Sequence, residues 1–363
     1  MNGQDLPEYI GKRIPVSSTV WAFISSVVLV FLMVACQQTS VGINTPTIQV
    51  NPTEVRPVVS SATVSLPQPS QPVQVTETAI STLPATAAEQ VLTSTPAATA
   101  TSGSPVVFGA IGDYGIYNRD EEDVANLVLS WQPDFIITLG DNNYPDGAED
   151  RIDKAIGQYF HDYIYPYIGT YGSGASVNRF FPSLGNHDWY TDNARPYLDY
   201  FTLPGNERYY DYTWGPVHLF AIDNYELEPD GVGVSSKQAE WLKEGLAAST
   251  SPWDIVYMHY PPYSSGMHGS TNWARWPYKE WGADVVLSAH DHTYERLEEG
   301  GLVYFVNGLG GGGRYDFENI VDGSQLRYDW DYGAMRVQAS EFELSFEFIT
   351  VDGEVVDQYT MVK

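Results

Sequence analysis

One cysteine, Cys36, in 363 residues excludes any disulfide within the chain, and with it the small cross-linked scaffolds that depend on such bonds. Cations are almost as scarce: 18 Lys and Arg stand against 46 Asp and Glu, a formal net charge of -28. Nucleic acid needs a basic face to neutralise its phosphates, so a dedicated nucleic-acid partner is excluded. A small phosphate ester is not excluded, because bound cations reverse the local field inside a cleft. There is no internal repeat, and the glycines at 310–313 lack the Lys-Ser/Thr that would make a nucleotide P-loop. Long apolar runs are missing too, apart from Val20 to Ala35, which falls short of the roughly 20 residues of a spanning helix.

That run gives Cys36 its meaning. Lys12 and Arg13 precede it, and Leu32-Met33-Val34-Ala35 leads directly into the cysteine. A basic segment, an apolar stretch and small residues before a cleavage point describe a secretory signal. With the cysteine just beyond, residues 1–36 resemble a bacterial lipoprotein signal, which implies a lipidated Cys36 and an extracytoplasmic, cell-envelope protein anchored to a membrane. A plain transmembrane anchor is the alternative, and export follows either way. Residues 37–104 are Thr, Ser, Pro, Ala, Val and Gln without lasting periodicity. Such a tract cannot bury enough apolar surface to order itself and reads as a tether, spanning about 45 Å as a flexible coil.

From Pro105 onward Trp, Tyr, Asp and Gly take over, leaving residues 105–363 as one domain with a substantial core. Val106–Ile111, Asp134–Leu139, Phe180–Leu184, Asp254–Met258, Asp284–Ser288 and Leu302–Val306 read as buried strands. Arg119–Trp131, Ala148–Phe160 and Ser235–Ala248 have helix spacing, the last capped by Ser235 or Ser236. Tyr209–Trp214 and Val217–Asp223 form a hairpin about Gly215-Pro216, and alternation from Phe342 to Phe348 with a turn at Asp352-Gly353 predicts a closing hairpin. The mixture predicts an α/β sandwich with helices outside.

Five strand tips share one design: a strand ends, a small residue allows a tight turn, and a metal-capable side chain follows. They deliver Asp113, Asp141, Asn186-His187, His259, and His290 with His292. Ligands gather outside the carboxyl ends of strands in open α/β sheets, so Asp141 is read as the shared ligand of a two-metal site.

In that order, Gly112-Asp113-Tyr114-Gly115, Gly140-Asp141-Asn142-Asn143-Tyr144, Gly185-Asn186-His187-Asp188, Met258-His259-Tyr260 and Ala289-His290-Asp291-His292 resemble the calcineurin-like metallophosphoesterases. Within them they resemble the purple acid phosphatases of the tartrate-resistant type. Many metallophosphoesterases carry Asp-x-His in the first motif; here Gly115 stands at the histidine position, and Tyr144 matches the tyrosine that fills the gap in the purple branch. Phenolate is a hard anionic oxygen suited to trivalent iron.

The resemblance implies a four-layer sandwich of two mixed β-sheets flanked by helices. It further implies an Fe(III) held by Asp113, Tyr144 and His292, a divalent iron, zinc or manganese held by Asn186, His259 and His290, and Asp141 shared by both. His187 and His268 would meet the substrate, a small phosphate ester. Asp188 and Asp291 are expected to orient histidines, the glycines at 310–313 to form a rim, and His161 and His218 to be structural. A phosphodiesterase or nucleotide hydrolase, and a catalytically silent surface binding protein, remain alternatives. The oligomeric state is not legible.

Overall fold

The computed structural model describes residues 105–363; the signal over 1–36 and the tether over 37–104 lie outside the described residues. β1 (Val106–Ile111) runs into α1 (Arg119–Ser130), where Asn118 accepts a hydrogen bond from the Glu121 N–H and three acids occupy the first turn. Both features stabilise a helix start, where N–H groups lack partners. Further along come β2 (Phe135–Thr138), α2 (Glu149–Ile152), α3 (Gln158–Phe160), β3 (Phe180–Pro182), α4 (Asn186–Trp189) and α5 (Arg195–Tyr200). They are followed by β4 (Tyr210–Trp214), β5 (Val217–Ala221), α6 (Lys237–Ala248), β6 (Trp253–Tyr257), α7 (Tyr278–Trp281) and β7 (Val285–Ser288). The chain closes with β8 (Tyr294–Glu299), β9 (Leu302–Asn307), β10 (Ser324–Tyr328), β11 (Gly333–Ala339), β12 (Glu343–Thr350) and β13 (Val355–Val362).

The described residues form two mixed sheets, ordered β13-β12-β11-β1-β2-β3 and β10-β8-β9-β7-β6-β5-β4. β1, β2 and β3 are parallel to one another, as are β5, β6, β7 and β9. Alternation sorts side chains between layers. On β6, Trp253, Ile255 and Tyr257 join the core between the sheets, whereas Val256 packs outward with Leu242 and Leu246 of α6. Each such buried leucine contributes about 1.5–3 kcal/mol. The sheets are also pinned by polar bonds: Asn307 Nδ2 donates to the Ala110 carbonyl at 2.9 Å, and the Tyr257 hydroxyl donates to the Phe181 carbonyl at 3.2 Å. The expected four-layer sandwich is the observed architecture.

Three departures from the sequence reading have physical causes. The helix expected over Ala148–Phe160 is broken by a π-turn at Asp153–Gly157. There the Asp153 carboxylate accepts from the Tyr167 and Tyr200 hydroxyls at 2.6 and 2.8 Å, bonds available only after folding. β8, β10 and β11 were not assigned from sequence. β10 is a half-exposed edge strand whose apolar face is only Leu326 and Tyr328, and β11 turns Arg336 outward to the Glu347 carboxylate at 2.6 Å. Ser236, not Ser235, caps α6, accepting from the Ala239 N–H at 3.1 Å.

Candidate metal centre

Three of the five tips are bent by their own backbone. Asp113, Asp141 and His290 have φ of 55°, 52° and 69°, in the left-handed region that L-residues seldom enter. Such a conformation costs on the order of 1 kcal/mol per residue and persists where surrounding structure enforces it. At His290 it supplies the bend by which alternate residues 290 and 292 both turn to the centre. Gly140, at φ 87°, lies so close to His259 that a Cβ there would sit 2.6 Å from the imidazole Nδ1. Gly115 is tighter still: a Cβ would lie 1.8 Å from the Asn142 carbonyl oxygen, and the Gly115 carbonyl accepts from the Tyr144 N–H at 2.7 Å. A histidine is therefore excluded at 115 by the very loop that presents Tyr144.

All seven expected side chains converge. The Tyr144 hydroxyl lies 2.8 Å from Asp141 Oδ2, 3.1 Å from Asp113 Oδ1 and 3.1 Å from His292 Nε2. On the other side of Asp141, His259 Nε2 is 3.4 Å from Oδ1, 3.0 Å from Asn186 Oδ1 and 3.2 Å from His290 Nδ1. Asp141, His259 and His290 bring their donor atoms within 4.8 Å of one another.

The chemistry of this set fits cations. Nδ1 of His259 faces the Leu139 carbonyl at 2.8 Å and must donate to it, so in the neutral ring Nε2 presents its lone pair inward. It meets the Asn186 carbonyl oxygen, the Asp141 carboxylate and a second imidazole nitrogen, all able to accept. Burial, then Asp113 and Asp141, raises the Tyr144 phenol well above its ordinary value, so a phenolate there requires a cation. Burial opposes charge on His259, but the Asp141 carboxylate overrides it and lifts His259 to about 9. Burial would likewise raise Asp141, yet His259, His187 and His290 hold it below the usual range. A second proton on His259 thus does, without an ion, part of what an ion would do.

Around this set the structure corrects two expectations. Asp188 orients no histidine: it accepts from the Asn142 N–H and amide and from the Gly185 N–H at 2.8 Å, tying the second motif to the third. Asp291 holds backbone rather than a ring, accepting from the N–H of His268 at 2.7 Å and of Gly269 at 3.1 Å. The glycines are more than a rim, since the Gly312 N–H donates to the Asp113 carbonyl at 2.7 Å and Gly310 to Gly112 at 3.0 Å.

His187 is partly exposed, with Nδ1 on the Pro145 carbonyl and Nε2 3.9 Å from Asp141 Oδ2. His268 is exposed and its ring stacks on His290 at 4.4 Å. His161 and His218 stand apart, bound to the Gly157 carbonyl at 2.8 Å and to Asp211 at 2.8 Å. Arg296 pairs with Asp357 at 2.7 Å.

Sequence reasoning missed Asn224. At the tip of β5 its side chain accepts from the Tyr260 N–H at 3.0 Å and donates to the Tyr260 carbonyl at 2.7 Å, fixing the backbone just after His259. Its signal was faint, an Asp-Asn pair at a strand end that reads as a turn. Asn224→Ala is expected to weaken binding of a divalent ion about tenfold, measured by competition with a chromophoric chelator; an unchanged affinity would assign Asn224 to folding alone.

Known proteins supply an independent comparison. The family model described as calcineurin-like phosphoesterase matches residues 106–294. Tartrate-resistant acid phosphatase type 5 of Mus musculus is 27% identical over 242 residues, covering 56% of this chain and 72% of that protein. Acid phosphatase type 7 of Danio rerio is 28% identical over 317 residues, covering 70% and 68%. Among solved structures, the purple acid phosphatase from yellow lupin (Lupinus luteus) seeds matches with a TM-score of 0.58 at 18% identity, over 72% of this chain and 54% of that one. GAP50, the anchor in the inner membrane complex of Plasmodium, matches at 0.56 and 18%, over 72% and 90%. At such identity both structures show the shared fold alone.

Proposed function

From the premise that the chain belongs to the calcineurin-like phosphoesterases, as a metal-dependent phosphoric ester hydrolase, we propose that it is an exported, membrane-tethered acid phosphatase of the purple type acting on phosphate monoesters. One observation carries the purple assignment: the Tyr144 hydroxyl lies within 3.1 Å of Asp113, Asp141 and His292, in a loop where Gly115 leaves no room for the alternative histidine. Asp113, Tyr144 and His292 would hold Fe(III). Asn186, His259 and His290 would hold a divalent iron, zinc or manganese, with Asp141 serving both ions. When bound, the two ions neutralise the phosphoryl oxygens and supply an activated hydroxide for in-line attack.

The chain's own groups do the rest. Asp141 lies at the junction, further held by the His187 N–H at 2.9 Å from Oδ1. His187 commits Nδ1–H to the Pro145 carbonyl, which leaves Nε2 as the nitrogen able to hold a proton toward the departing alkoxide. His268, kept in place by Asp291 through its backbone, extends a ring over His290 where it can donate to a phosphoryl oxygen. Export and tethering rest on Cys36 and the signal-like residues before it.

Iron-loaded protein is expected to absorb in the visible and Tyr144→Phe to bleach it; a colourless iron-loaded wild type refutes the tyrosine assignment. Turnover of p-nitrophenyl phosphate is expected to exceed that of the bis ester, and the reverse order favours a phosphodiesterase. Metal-loaded protein that turns over neither would favour the silent binding protein. Cys36→Ser in the native host is expected to move the protein from the membrane to the soluble extracytoplasmic fraction, and continued membrane retention would count for a transmembrane anchor.

A further inference from the structure

We propose that a partly exposed arc of aromatic rings beside the metal centre is a leaving-group subsite, selecting phosphate monoesters whose alcohol carries a neutral aromatic ring. This rests on the reading of the centre as a phosphatase site. The arc begins and ends at that centre. From His187 it passes to Tyr190 at 4.9 Å between ring centroids, to Tyr225 at 6.5 Å, to Tyr260 at 6.2 Å, and returns to His290 at 4.3 Å. Trp273 extends it outward from Tyr260 at 6.1 Å. An ester whose phosphate lies against His187 and His290 therefore has these rings beside it.

Scattered exposed aromatics are ordinary, but a connected set with both ends on a reactive centre is not scattered. Tyr190 is 54% exposed and Trp273 45%, surface that a bound ring would remove from water. The arc is held before anything binds. The Asn186 amide donates to the Tyr190 hydroxyl at 2.7 Å, Asn224 clamps the Tyr260 backbone, and Trp273 Nε1 donates to the Asn224 carbonyl at 3.1 Å. Pre-ordered aromatic faces lose little entropy on binding and favour offset or edge-on partners.

Charge narrows the class of occupant. The arc is built of phenols and an indole, and the exposed Glu226 carboxylate follows Tyr225 directly in the chain. A leaving group bearing further phosphates would meet that carboxylate, in a chain of net charge -28. A neutral ring would not. The arc accordingly selects against polyphosphate esters and for monoesters of ring-bearing alcohols.

Titration calorimetry on the metal-loaded protein separates this proposal from the one beneath it. Benzylphosphonate is expected to bind about three- to tenfold more tightly than propylphosphonate, from the usual gain of an aromatic contact. Tyr225→Leu and Trp273→Leu, each away from the centre, are expected to abolish that preference and leave inorganic phosphate binding unchanged. Equal affinities for the two phosphonates in a protein that binds phosphate would overturn the subsite alone. A preference that survives both substitutions would also overturn it. Protein that binds metals but neither phosphate nor phosphonate would overturn the phosphatase reading and the subsite together.

Discussion

Asp141→Asn is expected to lower kcat/KM on p-nitrophenyl phosphate by about 10⁴-fold, equivalent to roughly 5.5 kcal/mol of lost transition-state stabilisation. The size follows from position. One oxygen of Asp141 lies 2.8 Å from the Tyr144 hydroxyl and the other 3.4 Å from His259 Nε2, so its two oxygens face the side chains of both halves of the centre. The amide keeps the shape but loses the charge, and it offers one strong acceptor where two are needed. Metal content is expected to fall with activity while circular dichroism stays native. A variant that keeps both ions and more than a tenth of wild-type activity would remove Asp141 from its bridging role.

Removing the metals is expected to lower Tm by about 8–16 °C. An ion present at a thousandfold excess over its dissociation constant stabilises the fold by about 4 kcal/mol, and a domain of this size shifts about 2–4 °C per kcal/mol. Without ions, the phenol, carboxylates and imidazoles of the centre face one another with too few protons to satisfy them. The effect carries a pH signature. His259 is raised to about 9 in the metal-free protein, so its charged form stabilises that state fully below the unfolded value near 6.5 and this contribution is lost as pH rises through about 9. A metal must displace that proton, so the Tm gain on adding metal is expected to grow between pH 6.5 and 9. Scanning calorimetry with and without chelator at several pH values checks this; a gain that shrinks over the interval contradicts the assignment of His259.

Where the chain was legible, the legible unit was a strand end. A continuous apolar run followed by a small residue and a donor side chain is a local pattern, visible at Asp113, Asp141 and His259 without any knowledge of neighbours. β11 was illegible for the opposite reason. Its Arg336 and Gln338 are polar and its strand character comes from pairing with β1 on one side and β12 on the other. The π-turn at Asp153 belongs to the same class, set by tyrosine hydroxyls that arrive from residues 167 and 200.

The site divides along the same line. That a tyrosine rather than a histidine stands beside Asp113 and His292 was written in the primary structure at Gly115 and Tyr144. Why no histidine could stand there was not, because the obstacle is the Asn142 carbonyl brought against Gly115 by a loop contact. The donor types were likewise a property of the residues themselves. Their supports, Asp188 under Asn142 and Asn224 under Tyr260, were decided only in three dimensions, since each joins strand tips that are 36 or more residues apart. Residue chemistry is local and survives in any conformation. A hydrogen bond between distant tips exists only once their strands have paired side by side, as β2 with β3 and β5 with β6, and the same pairing determines which aromatic rings end up beside the tips.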